Sequence, residues 1–151
     1  MDGTTTTAFF AGSFNPFTNG HADIVSRALR LFDRVVIAVG VNVRKADDNA
    51  GRRAEAIGRL YAAEPRVEVI TYSGLTAAVA VEHGATALLR GVRTAPDYEY
   101  ALQMAAINRR INGIETVLLT ARPELASVSS SMVRELRSFG FDTSQFTPSD
   151  L

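Results

Sequence analysis

Cysteine is absent from this chain of 151 residues, which excludes disulfide scaffolds, thiolate metal sites and cysteine nucleophiles outright. An excess of charge of either sign is missing too: sixteen Lys and Arg balance sixteen Asp and Glu. No overall field therefore draws the chain to nucleic acid or to an anionic membrane, although local clusters can still hold phosphate. Long apolar runs are also lacking. The longest run of apolar residues and glycine, Val35 to Val41, falls far short of the roughly 20 residues that a spanning helix needs. Met1, Asp2, Gly3 and the four threonines that follow supply neither a basic nor an apolar leader region. The expectation is no secretory signal, a flexible tail over residues 1–6, and a cytoplasmic protein. Neither G-x-G-x-x-G nor a lysine-bearing phosphate loop occurs, so dinucleotide oxidoreductases and P-loop ATPases have no support.

What is present is 46% hydrophobic content, enough for one sizeable core and too short a chain for two, so a single domain is expected over residues 7–151. Short β-branched and aromatic runs alternate with stretches of helical periodicity, the pattern of βαβ units and a parallel sheet. Strands are expected at Thr7–Ala11, Arg34–Val41, Val67–Thr71, Ala87–Leu89 and Glu115–Leu119. Between the first two, Ile24, Val25, Ala28, Leu29 and Phe32 recur at three- and four-residue spacing while Asp23, Arg27 and Arg30 face water. That predicts an amphipathic crossover helix. Further helices are expected around Ala54–Tyr61, Leu75–His83, Asp97–Ile111 and Ser130–Phe139, with Gly84 and Gly140 suited to the left-handed residue that closes a helix. An eight-fold barrel needs about 250 residues, so the fold class is α/β, an open doubly wound five-stranded parallel sheet, with ligands at the strand carboxyl ends.

Directly after the first strand runs Gly12-Ser13-Phe14-Asn15-Pro16-Phe17-Thr18-Asn19-Gly20-His21, a turn-rich decapeptide that opens into the first helix. Helix amino ends carry unpaired N–H groups and partial positive charge, and glycines let main chain approach a ligand closely. A phosphate can bind there, with His21 donating to its oxygens; a plain turn leading into a capped helix is the alternative. The charged stretch Arg44 to Arg53 reads as a loop after the second strand. Within it, Asp47 and Asp48 have no third ligand at hand, so a solvated acidic pair is expected rather than a metal site.

The decapeptide resembles the signature of the nucleotidyltransferase superfamily whose histidine motif is H-x-G-H or T-x-G-H, here Thr18-Asn19-Gly20-His21. The T-x-G-H form is similar to that of the phosphopantetheine adenylyltransferase family. Arg90-Gly91-Val92-Arg93 followed by Asp97-Tyr98-Glu99-Tyr100 resembles that family's second segment, and Ser129-Ser130-Ser131 with Arg134 its third. Three motifs in order make the resemblance specific. It implies a Rossmann-like fold and transfer of AMP from ATP to 4'-phosphopantetheine without a covalent enzyme intermediate. It also implies Mg2+ arriving with ATP, no protein metal site, and a homohexamer. His21, Lys45 and Arg90 are implied to be catalytic. Ser13, Phe14, His21, Gly91, Val92, Arg93, Ala101, Leu125, Ala126, Ser127, Val128, Ser129, Ser130 and Ser131 are implied to line the ATP site. Ser13, Lys45, Leu75, Thr76 and Arg90 are implied to meet the acceptor.

Four departures from the pattern stand out. Asn15 replaces the usual aspartate, and Ala101 replaces a glutamate that contacts the nucleotide side. Leu125-Ala126 replaces a more aromatic and polar pair, and the loop Val43–Asn49 lacks paired lysines. Two rival readings remain: another adenylyl- or cytidylyltransferase acting on nicotinate mononucleotide or glycerol phosphate, and a nucleotide-binding protein without turnover.

Overall fold

The computed structural model describes residues 4–46, 48–148 and 151; the first three residues of the expected tail, and Asp47, lie outside it. Five strands, β1 (Thr7–Gly12), β2 (Arg34–Gly40), β3 (Val67–Tyr72), β4 (Ala87–Val92) and β5 (Glu115–Thr120), alternate with five helices. These are α1 (Asn19–Ala28), α2 (Ala50–Leu60), α3 (Thr76–Glu82), α4 (Ala95–Asn112) and α5 (Ser130–Ser138), with one 3-10 turn at Pro123–Leu125. Every strand pairing is parallel, and the spatial order is β3-β2-β1-β4-β5. Among the described residues no helix is long and apolar enough to cross a membrane.

Burial follows the period of two that a pleated strand imposes. On β1, Ala8 and Phe10 join Val35, Ile37 and Val39 of β2 in a core under α1 and α2, which contribute Ile24, Val25, Ala28 and Ile57. Phe9, between them, points the other way. It joins Val36, Ala38 and Leu88 against Ala77 and Ala80 of α3. The sheet is thus covered on both faces, as an all-parallel sheet must be. Phe9 is fully buried, and its truncation to alanine would cost about 3–5 kcal/mol.

Element ends are set by tertiary pairing. β4 continues past Leu89 because Arg90, Gly91 and Val92 pair with Leu118, Leu119 and Thr120 of β5. α1 stops at Ala28, earlier than its apolar stripe suggests, because the chain tightens into turns in which the N–H groups of both Leu31 and Phe32 donate to the Ala28 carbonyl. Thr6, ahead of β1, donates its main-chain N–H to Asp33 at 2.8 Å and its hydroxyl at 3.1 Å, so ordered contacts begin before the first strand.

Candidate functional site

The strand order reverses between β1 and β4, since β1 continues to β2 on one side while the chain crosses over to β4 on the other. At such a switch point the loops leave in opposite directions, and a crevice opens at the carboxyl ends of the strands. The decapeptide leaves β1 at this edge and ends in α1 through a capping box. The Thr18 side chain accepts from the His21 N–H, and the His21 side chain accepts from the Thr18 N–H. The second bond, 2.9 Å to Nδ1, makes Nδ1 an acceptor and leaves the proton of the neutral ring on Nε2. Phe14 stands edge-on to the His21 ring at 5.0 Å, with Phe17 at 5.4 Å and Phe10 at 6.2 Å. Desolvation among these rings, followed by the nearby Arg93 cation, lowers the His21 pKa from 6.5 to about 4. The ring is therefore a neutral N–H donor near pH 7.

Beside it lies a cleft of about 280 Å³ lined by Gly12, Ser13, Phe14, His21, Ile24, Gly91, Val92, Arg93, Asp97, Leu125, Val128 and the serines 129–131. Gly91 packs closely against α1: a Cβ there would stand 3.1 Å from Ile24 Cγ1, a tight contact that the Ile24 side chain would have to relieve. Arg93 is held from two sides, donating Nη1 to the Ala126 carbonyl at 3.1 Å and pairing through Nε with Asp97 at 3.6 Å. Asp97 also accepts from the Arg93 main-chain N–H at 3.1 Å. Its place in the D-x-E-x run gives no hint of this bracing role.

The serine run differs from expectation in detail. Ser129 caps α5 by accepting from Met132 N–H at 3.1 Å. Ser130 donates its hydroxyl to the Pro16 carbonyl at 2.7 Å, and Arg134 donates to the Asn15 carbonyl at 2.6 Å. The Ser130 hydroxyl and the Arg134 guanidinium join α5 to the decapeptide while the Ser129 hydroxyl caps the helix, so what the run offers an anion is chiefly main-chain N–H at a helix start. At the start of α1, two such donors are already engaged: Asn19 N–H bonds the Phe146 carbonyl at 2.9 Å and His21 N–H bonds the Thr18 hydroxyl at 3.4 Å.

A second cleft, of about 240 Å³, opens on the other face of the same edge and shares Ala11, Gly12 and Arg90 with the first. Thr76 lines it, bonded to the Tyr72 hydroxyl at 3.0 Å, together with Tyr100, Met104, Asn108 and Thr116. Arg90 forms the partition. Its guanidinium carbon sits 5.1 Å over the Tyr100 ring, and its buried Nε has no hydrogen-bond partner among the described residues. A buried unsatisfied donor on a cation costs several kcal/mol unless an anion meets it. Ala101, expected on the nucleotide side, lines this second cleft and not the first, and is 1% exposed. It lies one turn beyond Asp97, and α4 has by then run back over the face shared with α3.

Several expected residues stay outside both clefts. Lys45 is exposed on the loop after β2, Leu75 is 53% exposed ahead of α3, and Ser127 is exposed. Ala126 contributes its carbonyl to Arg93 rather than a cleft wall. Asp48 is not solvated as expected: it pairs with Arg53, and its side chain is 13% exposed. Among the described residues no group of three or more His, Asp or Glu could hold a metal ion. The arrangement offers cations, oriented N–H donors and a neutral imidazole around two joined clefts, with no activated side-chain nucleophile. It can hold two anions side by side and stabilise charge that develops between them.

Known proteins bear on which anions these are. The pattern of the cytidylyltransferase-like family matches residues 9–136. A phosphopantetheine adenylyltransferase of Porphyromonas gingivalis is 54% identical over 142 residues, covering 93% of each chain. Among solved structures, a putative nicotinate-nucleotide adenylyltransferase from Vibrio parahaemolyticus superposes with a TM-score of 0.62 at 18% identity, covering 95% of this chain and 93% of that one. NadR protein in complex with NAD and AMP-PNP superposes with a TM-score of 0.61 at 15% identity, covering 89% of this chain and 43% of its own. At these identities the two structures speak for the fold alone.

Proposed function

Because this chain belongs to the phosphopantetheine adenylyltransferase family of cytidylyltransferase-like proteins, we propose that it transfers AMP from ATP to 4'-phosphopantetheine. The products are dephospho-CoA and pyrophosphate, a step of coenzyme A biosynthesis. The observation that carries the reading is Arg90, whose unpartnered buried Nε stands where the two clefts join.

In this reading ATP occupies the first cleft. Its β- and γ-phosphates lie toward the N–H groups that open α5 and toward Arg93, and its α-phosphate lies at His21 Nε2. The acceptor occupies the second cleft, its phosphate on Arg90 and its arm between α3 and α4 past Thr76. An oxygen of the acceptor phosphate attacks the α-phosphorus, the new P–O bond forms as the bond to the β-phosphate oxygen breaks, and pyrophosphate leaves. No proton needs to be removed from a nucleophile that is already anionic. His21, neutral and locked in one tautomer, donates to the α-phosphate oxygen on which charge grows. Arg90, with Lys45 reaching in from its loop and Ser13 at the turn, offsets repulsion between the two anions. Among the described residues the only carboxylate lining the first cleft, Asp97, is engaged with Arg93. Mg2+ therefore fits as an ion carried on the triphosphate and water, where it supplies charge neutralisation to the leaving pyrophosphate.

Such a reaction belongs where ATP is abundant, in the cytoplasm. Apolar residues exposed on α4, Leu102, Ile107 and Ile111 at 44–50%, are suited to contact between copies in a homohexamer, which light scattering would measure. The reading is tested by pyrophosphate release with ATP and Mg2+, offering phosphopantetheine and nicotinate mononucleotide in parallel. Release with phosphopantetheine alone is expected. Release with the mononucleotide would move the chain to another acceptor, and ATP binding with no release for either would end the reading of an enzyme.

A further inference from the structure

Arg53, in the first turn of α2, joins two parts of the site that lie far apart in sequence. Its Nε donates to the carbonyl of Ser13 at 2.9 Å. Its Nη1 donates to the main-chain carbonyl of Asp48, and its Nη2 faces the Asp48 carboxylate at 3.4 Å. The same carboxylate oxygen accepts from the main-chain N–H of Asn42 at 2.8 Å. Asn42 and Asp48 are the two feet of the loop that carries Lys45, and Asp48 draws them together. The Arg53 and Asp48 side chains are each only 13% exposed. This is a partly buried, charge-assisted cluster, unlike the more exposed ion pairs Arg66–Glu64 and Arg109–Glu115, which contribute little to any structure they decorate. The planar guanidinium fork suits the task, because three acceptors approach it from different directions and a single ammonium cannot satisfy all three.

We propose that Arg53 is a positioning residue for the acceptor phosphate: it fixes the feet of the Lys45 loop against the Ser13 turn, so that Lys45 approaches the phosphate that Arg90 receives. Arg53 touches neither substrate. Its influence on the acceptor passes through Lys45, with the Ser13 carbonyl as the fixed point to which the loop is tied, so it should act on the acceptor more than on ATP. The inference rests on Lys45 being a ligand of the acceptor phosphate.

The test is a double-mutant cycle between Arg53→Ala and Lys45→Ala in the full chain, read as KM for phosphopantetheine, KM for ATP and kcat. Arg53→Ala is expected to raise KM for phosphopantetheine about tenfold, the effect of losing a charge-assisted anchor, with KM for ATP changed by less than about twofold. In the Lys45→Ala background the same change is expected to add less than about twofold, because its effect passes through the missing lysine. Arg53→Lys, which retains charge but reaches fewer acceptors, is expected to give an intermediate KM; it replaces the alanine variant in the cycle should that one fail to fold by circular dichroism. Additive effects, equal changes in both KM values, or no change would overturn the proposal. A wild type inert toward phosphopantetheine would overturn the underlying reading and the proposal with it, whereas an active wild type with additive variants would overturn the proposal alone.

Discussion

Thr18 and His21 hold one another through both main chain and side chain: Thr18 N–H donates to His21 Nδ1 at 2.9 Å, and His21 N–H donates to Thr18 Oγ1 at 3.4 Å. One residue pair therefore caps α1, orients the imidazole and fixes which nitrogen carries the proton. Because the cap occupies Nδ1, Nε2–H is the donor that His21 has left to offer the first cleft, which it lines.

Replacing His21 by alanine removes that donor while the rest of the cleft remains. Loss of one preorganised donor to a developing oxyanion costs about 10²–10³ in kcat. Steady-state pyrophosphate release should show this loss with KM for ATP little changed, since the bond strengthens chiefly in the transition state. A loss confined to KM would place His21 in ground-state binding instead.

His21 also sets a pH dependence of stability. Its pKa in the fold is about 4, against an ordinary 6.5, because burial among Phe10, Phe14 and Phe17, and then Arg93, disfavour the charged ring. Between these values the unfolded chain binds a proton that the folded chain does not, so stability rises with pH across that window. The contribution is complete above pH 6.5 and is lost as pH falls toward 4. Denaturant midpoints at about pH 4.5 and pH 7.5 should differ more for wild type than for His21→Gln, which cannot titrate.

Gly91→Ala would place a methyl group 3.1 Å from Ile24 Cγ1, at a position of β4 that pairs with Leu119 of β5. Overpacking of this kind costs about 1–3 kcal/mol, and the methyl group would also intrude on the first cleft. Thermal unfolding should register the loss, and Ile24→Val, which removes one methyl from the crowded side, should recover part of it.

Arg90 opposes stability to activity. Arg90→Met removes the unpartnered buried Nε together with the guanidinium over Tyr100, so the unliganded protein is expected to be no less stable than wild type, and by up to about 1 kcal/mol more stable. Activity with phosphopantetheine should fall by at least about a hundredfold, the loss of a charged anchor for an anion. A variant that melts well below wild type would show that Arg90 serves the fold rather than the ligand.

Most of the architecture was legible because the signals are local. Runs such as Val35-Val36-Ile37 announce a strand buried on both faces, and Gly84 and Gly140 adopt positive φ, 75° and 77°, where helices end. The three motifs do converge on one edge, bringing His21, Arg90, Arg93 and the serines 129–131 around the first cleft. What stayed hidden depends on partners distant in sequence. β4 extends through Arg90 to Val92 only because β5 offers a register for it. Ala101 belongs to the second cleft because of the direction α4 takes across the sheet. Ser130 joins α5 to Pro16, and Arg53 joins Asp48 to Ser13; nothing in either local pattern names its partner. Lys45 carries a family signal, yet its loop holds it in solvent, so any reach toward the acceptor must accompany binding.

The central claim, direct transfer between two anions held across Arg90, is tested most directly by the stereochemical course at phosphorus. The chain would be given ATP bearing a chiral phosphorothioate at the α-position together with 4'-phosphopantetheine, and the configuration of the nucleotide product determined. The account predicts a dephospho-CoA analogue with inverted configuration, the outcome of one in-line displacement. Retention, which requires a covalent adenylyl-enzyme, or the absence of any adenylylated product, would contradict it.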